Sequence, residues 1–227
     1  MKLSLLASVA FACCTVSVSQ GASIVWGAQI DNGLSLAGGG NLAVGNLLRV
    51  GTFDITDGVI AANADNIAFL DSHFIQFGTA RIGDGIPGNP AEHFAKTSDA
   101  NSGAAGLNIQ GSQIYIWAFS SNDNSSVASS IATAVQLGIF YMDKAVDSDW
   151  AVPFEDNIPN DTTIDLTNLS NGNVLATGAH VVVGSFPNGT SDQTAAPNFG
   201  LAVPEPSAMT AVIASVGLLA LRRRRRA

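Results

Sequence analysis

Through residues 23–200, apolar positions come in short runs separated by Gly, Asn, Asp, Ser and Thr. Runs of that length between turn-formers predict β-strands. Six stand out, at residues 23–30, 47–55, 113–119, 135–141, 162–166 and 180–186. The strongest, Gln113-Ile-Tyr-Ile-Trp-Ala-Phe119, is almost wholly β-branched or aromatic, as a strand buried in a sheet should be. One stretch departs from the pattern. Over residues 64–77, Ile67, Leu70, Phe74 and Phe77 fall at spacings of three, four and three, which predicts one helix with an apolar face. Asp65 sits near its start, where a carboxylate complements the helix dipole.

Glycine and proline clusters at 38–40, 83–90 and 187–197, with polar stretches at 120–126 and 156–161, mark the loops. No repeat of twenty to fifty residues is visible, so a solenoid is not expected. The fold class predicted is mainly β: a single β-sandwich or jelly-roll-like domain with one packed α-helix. An N-terminal signal helix and a C-terminal transmembrane helix flank it.

Two longer apolar runs lie at the ends. Lys2 precedes an uncharged run over residues 3–18, and Ser19-Gln20-Gly21-Ala22-Ser23 closes it with small residues. This is the layout of a secretory signal peptide, with cleavage after Gly21 or Ala22. Both cysteines, Cys13 and Cys14, lie inside it, so a processed chain would have neither disulfides nor a thiolate site. At the other end, residues 208–221 are uncharged and Arg222, Arg223, Arg224, Arg225 and Arg226 follow. A helix of that length rises roughly 21 Å, somewhat short of a ~30 Å hydrocarbon core. Ser207 and snorkelling arginines would extend it, and the arginines would hold the cytoplasmic side as a membrane stop.

Val203, Pro204, Glu205, Pro206 and Ser207, the apolar run and the arginine cluster stand in that order. Together they resemble the PEP-CTERM sorting signal of Gram-negative bacteria. The resemblance covers residues 203–227 only. It implies handling by an exosortase, a membrane transpeptidase that would recognise Pro204-Glu205-Pro206 and cleave nearby, after export by the secretion translocon. The two prolines suit the strip, because they hold it extended and outside the following helix. The organisation expected is therefore a signal peptide (1–22), an all-β domain (23–190), a linker (191–202) and the sorting signal (203–227).

Composition sharpens this division. The formal charge of −8 conceals a middle with four cations, Arg49, Arg81, Lys96 and Lys144, against seventeen carboxylates, about −13 over residues 22–203. So acidic a domain repels phosphates, which excludes nucleic acid as its partner. His73, His93 and His180 are isolated from one another and read as structural. No G-x-S-x-G elbow is present, and Glu92 and Glu155 are the only glutamates of the middle. Asp54 and Asp57, and Asp143, Asp147 and Asp149 beside Trp150, offer hard oxygens for a structural Ca2+. Solvated turn aspartates are the plainer reading. Trp117 and Trp150 are candidates for stacking on sugar, with Tyr115 nearby. The expectation is an exported, non-enzymatic surface or extracellular-matrix protein without a cofactor. A secreted carbohydrate-binding module or carbohydrate-active enzyme, working on exopolysaccharide, is the second reading.

Overall fold

The computed structural model describes residues 22–29, 31–88, 90–100, 109–154, 161–192 and 195–204. The chain is β-rich and sandwich-like. Its larger sheet has five antiparallel strands in the order β11-β7-β6-β3-β4. These are β3 (Leu47–Phe53), β4 (Phe74–Arg81), β6 (Tyr115–Ser121), β7 (Ala134–Met142) and β11 (Ala179–Val183). The smaller sheet sets β1 (Ala22–Ala28) between β5 (Phe94–Ala100), antiparallel, and β8 (Asp161–Asp165), parallel. Two minor ladders complete it: β9 (Ser170–Asn171) with β10 (Val174–Leu175), and β2 (Leu34–Ser35) parallel to β12 (Phe199–Gly200).

The central strand β6 is buried over its first five residues, which explains its unbroken apolar sequence. One face of the large sheet, carrying Val50, packs toward the small sheet, where Gly78 leaves room for Ser98. Trp26 of β1 is completely buried there; its indole N–H donates to Ser98 Oγ at 2.9 Å, and its ring meets Phe94 edge-on. The opposite face carries the aromatic layer Phe53, Phe74, Tyr115, Trp117 and Phe119, with neighbouring ring centroids 4.7–5.6 Å apart. Short helices border this layer. α1 (Asp57–Ala62) and α2 (Ile67–Ser72) lie between β3 and β4, and α3 (Val127–Ala132) between β6 and β7.

All six expected strands exist, within a few residues of their expected bounds. Two expectations need correction. The single helix over 64–77 is instead a six-residue helix followed by a strand: Asn66 caps α2 by accepting from the Phe69 N–H, and His73 ends it. From Phe74 onward the chain pairs antiparallel with β3, through a bulge that leaves Phe77 without a partner in the ladder. Tertiary pairing thus outweighs a helical spacing that Phe74 and Phe77 satisfy only by coincidence. The second correction concerns residues 191–202, expected as a linker. Asn198 and Phe199 are wholly buried, and Leu201 is 1% exposed. Phe199 N donates to Gly33 O, Leu201 N to Ser35 O, and Gly200 and Ala202 bridge to Ser185 and Leu137. Close approach requires glycine here. A Cβ on Gly184, whose φ is +122°, would strike the Gly200 carbonyl, and one on Gly200 would strike Asn188.

Candidate functional site

Two places gather polar chemistry. The first anchors the C-terminal strip. Glu92 is fully buried and held at φ 66°, a left-handed conformation costing about 1–3 kcal/mol for a residue with a side chain. Its backbone is locked by two bonds, Glu92 N to Leu42 O and Leu34 N to Glu92 O. Its carboxylate reaches into the strip. Oε1 accepts from Ser191 Oγ at 2.7 Å and from the Asp192 N–H at 2.8 Å, and Oε2 accepts from Asn198 Nδ2 at 2.8 Å. His93, 1% exposed, lies alongside, with Nε2 3.1 Å from Glu92 Oε1 and 3.2 Å from Ser191 Oγ. Its Nδ1 faces the Ala28 carbonyl at 3.0 Å and so carries a hydrogen. Asn198 Oδ1 accepts from Gly33 N, and Asn32 donates to the Pro197 carbonyl. The Ser–His–Glu grouping superficially suggests a nucleophile and its base. Each of the three side chains is at most 4% exposed, and the Ser191 hydroxyl is spent on the carboxylate. The cluster is a latch that holds Ser191, Asp192, Pro197 and Asn198 against the body.

The second place is a groove of about 790 Å³ over one end of the large sheet, walled by Ile67 and Ala68 of α2 and by Val127, Ala128 and Ile131 of α3. Arg49 of β3, 6% exposed, forms its floor. The guanidinium lies 4.8 Å from the Phe74 ring centroid and 5.1 Å from that of Trp117. Nε donates to Gln76 Oε1 at 2.6 Å, and Nη1 to Asp71 Oδ1 at 2.5 Å. Burial pulls the guanidinium below its ordinary pKa and the Asp71 carboxylate opposes this, so Arg49 remains a cation at neutral pH.

The sequence-predicted candidates are elsewhere. Trp117 and Trp150 are both completely buried, each with an indole N–H that finds no partner among the described residues, so neither offers a face to sugar. Bulky aromatic residues next to loops are as fit for a core as for a platform, and here the core took both. Asp143 and Asp147 accept from the N–H groups of Ala145 and Asp149, two residues on, as turn aspartates do. Asp54 pairs with His73 at 2.7 Å. Asp57 accepts from Tyr115 Oη at 3.0 Å and Tyr141 Oη at 2.6 Å, and His180 stacks flat on Tyr141. Among the described residues, no group of three or more His, Cys, Asp or Glu could hold a metal ion.

No family model, curated protein or solved structure matches the chain. Function therefore has to be argued from its own residues. Of the expected sorting motif, Val203, which is 57% exposed, and Pro204 are described. Glu205, Pro206 and Ser207, the apolar run and Arg222–Arg226 lie outside the described residues, as does the expected signal peptide through residue 21. Among the described residues no helix is long and apolar enough to cross a membrane. Neither the latch nor the groove was found from sequence. Arg49 gave a faint signal, being a lone cation in an otherwise apolar strand; Glu92, one of only two glutamates in the middle, gave another.

Proposed function

We propose that the chain is an exported, non-enzymatic surface or extracellular-matrix protein, sorted and processed at its C-terminus by an exosortase. The observation that carries this reading is the ordered set Val203-Pro204-Glu205-Pro206-Ser207, apolar run and five arginines, behind an N-terminal segment with signal-peptide layout. We read residues 22–204 as one sandwich domain that forms the exported product. The position of the motif supports the reading: among the described residues the last bridged one is Ala202, and Val203 next to it is exposed, so the motif begins where the described strip ends. The burial of Glu92, His93 and Ser191 supports a structural rather than a catalytic use of the polar residues.

Intact-mass measurement on protein recovered outside the producing cell tests the proposal. Loss of residues 1–21 or 1–22 together with Arg222–Arg226 is the expected result. Recovery with the arginines still attached refutes processing. Retention of the chain inside the cytoplasm refutes export. Turnover of a polysaccharide by the purified protein would refute the non-enzymatic part.

A further inference from the structure

The groove over Arg49 has the polar pattern of a ligand site, and its chemistry selects a class of ligand. Three groups define its polar side. Arg49 spends Nε on Gln76 and Nη1 on Asp71, and its Nη2 makes no hydrogen bond to the described residues. Because Gln76 Oε1 already accepts from Arg49, the amide is fixed in orientation and its Nε2 is left as a donor. Asp71 uses Oδ1 on Arg49, and its side chain, 41% exposed, keeps Oδ2 as an acceptor. The guanidinium is nine-tenths buried between α2 and the Phe74 and Trp117 rings, so this array is pre-organised rather than assembled on binding.

We propose that this groove binds a neutral saccharide segment. An anionic ligand would meet the Asp71 carboxylate in the lining, and an ammonium would meet Arg49. A hydroxyl both donates and accepts, so neighbouring ring hydroxyls satisfy the two donors and the carboxylate together. The aliphatic wall of Ile67, Val127 and Ile131 takes the apolar C–H face of the ring. At about 790 Å³ the groove falls in the range of about 300–1,000 Å³ usual for ligand sites. The site is independent of Trp117 and Trp150 as stacking platforms, and it stands or falls separately from the sorting proposal.

The experiment is saturation-transfer NMR and calorimetry on the full chain in mild detergent. The probes are neutral tetrasaccharides cut from β-glucan, mannan and galactan, beside a tetrasaccharide of uronic acids and an uncharged tetrapeptide. At least one neutral tetrasaccharide binds in the millimolar range or tighter. Gln76→Met, which keeps bulk but removes the donor, weakens it about tenfold, equivalent to one good hydrogen bond. Ala128→Phe, placed on an exposed position of the wall, fills the groove and abolishes binding. Circular dichroism matching the unaltered chain keeps folding out of the comparison. The proposal is overturned if no neutral tetrasaccharide binds, if Ala128→Phe binds as well as the unaltered chain, or if only the uronate or the peptide binds.

Discussion

Phe199 distinguishes a packed C-terminal strip from a tether. Its side chain is completely buried, stacked on Phe186 at 4.5 Å between centroids and edge-on to Phe140 at 5.4 Å. Replacing a buried phenylalanine by alanine costs about 3–5 kcal/mol, combining lost transfer energy with the cavity left behind. Each aromatic pair adds roughly 0.5–1.5 kcal/mol beyond area, which favours the upper part of that range. In a domain of this size one kcal/mol moves the melting temperature by about 2–4 °C, so Phe199→Ala should lower it by roughly 10–15 °C. Total stability of about 5–15 kcal/mol leaves most such proteins folded at room temperature. Thermal unfolding followed by circular dichroism measures the shift. Val203→Ala is the control, because a residue 57% exposed should change stability by less than about 0.5 kcal/mol. A residue in a tether would behave like that control. A shift below about 2 °C for Phe199→Ala would therefore refute the packed strip.

Three further outcomes follow from the buried polar and aromatic groups. Glu92→Gln turns one of its three accepting contacts into opposed donors, since an amide cannot accept at both ends; the urea midpoint should fall by the equivalent of about 2–3 kcal/mol, and an unchanged midpoint would refute the latch. The chain's two tyrosines, Tyr115 and Tyr141, both donate to Asp57, and burial together with that carboxylate pushes both hydroxyls well above their ordinary pKa. Their unfolded value is about 10, so this contribution to stability is complete below pH ~10 and is lost as pH rises beyond it. Tyrosinate absorbance should accordingly appear only as the protein unfolds in strong alkali, and half-ionisation near pH ~10 in the folded state would refute the arrangement. All three tryptophans are completely buried, so acrylamide should leave their fluorescence almost unquenched until denaturant is added.

What could be read from the sequence was what neighbouring residues decide. Strands such as β6 and β7 carry enough β-branched and aromatic side chains to declare themselves without their partners. β5 does not. Its sequence Phe-Ala-Lys-Thr-Ser-Asp-Ala looks like a loop, because it is an edge strand whose outward positions carry charge and whose pairing with β1 is supplied from far along the chain. The six-residue helices α1 and α3 are too short for any periodicity to register. The groove depends on Arg49, Asp71 and Gln76 converging from β3, α2 and β4, and no local spacing records that convergence.

Residues 191–202 were misread for a physical reason that bears on function. Small and polar side chains fill residues 191–198 (Ser-Asp-Gln-Thr-Ala-Ala-Pro-Asn), and such a composition describes a flexible tether when read alone. Here Asn198 and Gly200 are suited to contact: Asn198 satisfies both Glu92 and Gly33, and Gly200 admits the Asn188 side chain. The closing strip pairs on one side with β2, near the start of the domain, and on the other with Ser185 and Leu137. Residues far apart in sequence thus depend on the last few of the body. On the sorting proposal this removes the slack between body and membrane. Only residues 203–207 separate Ala202 from the apolar run. Fully extended at about 3.3–3.6 Å per residue, they reach less than ~20 Å. A transpeptidase acting at Pro204-Glu205-Pro206 on the folded chain must then work against the edge formed by Ala202 and Leu137, or act before the strip has seated. On that proposal Glu92, far upstream in sequence but bonded to Ser191 and Asn198, would bear on how residues 203–207 are presented.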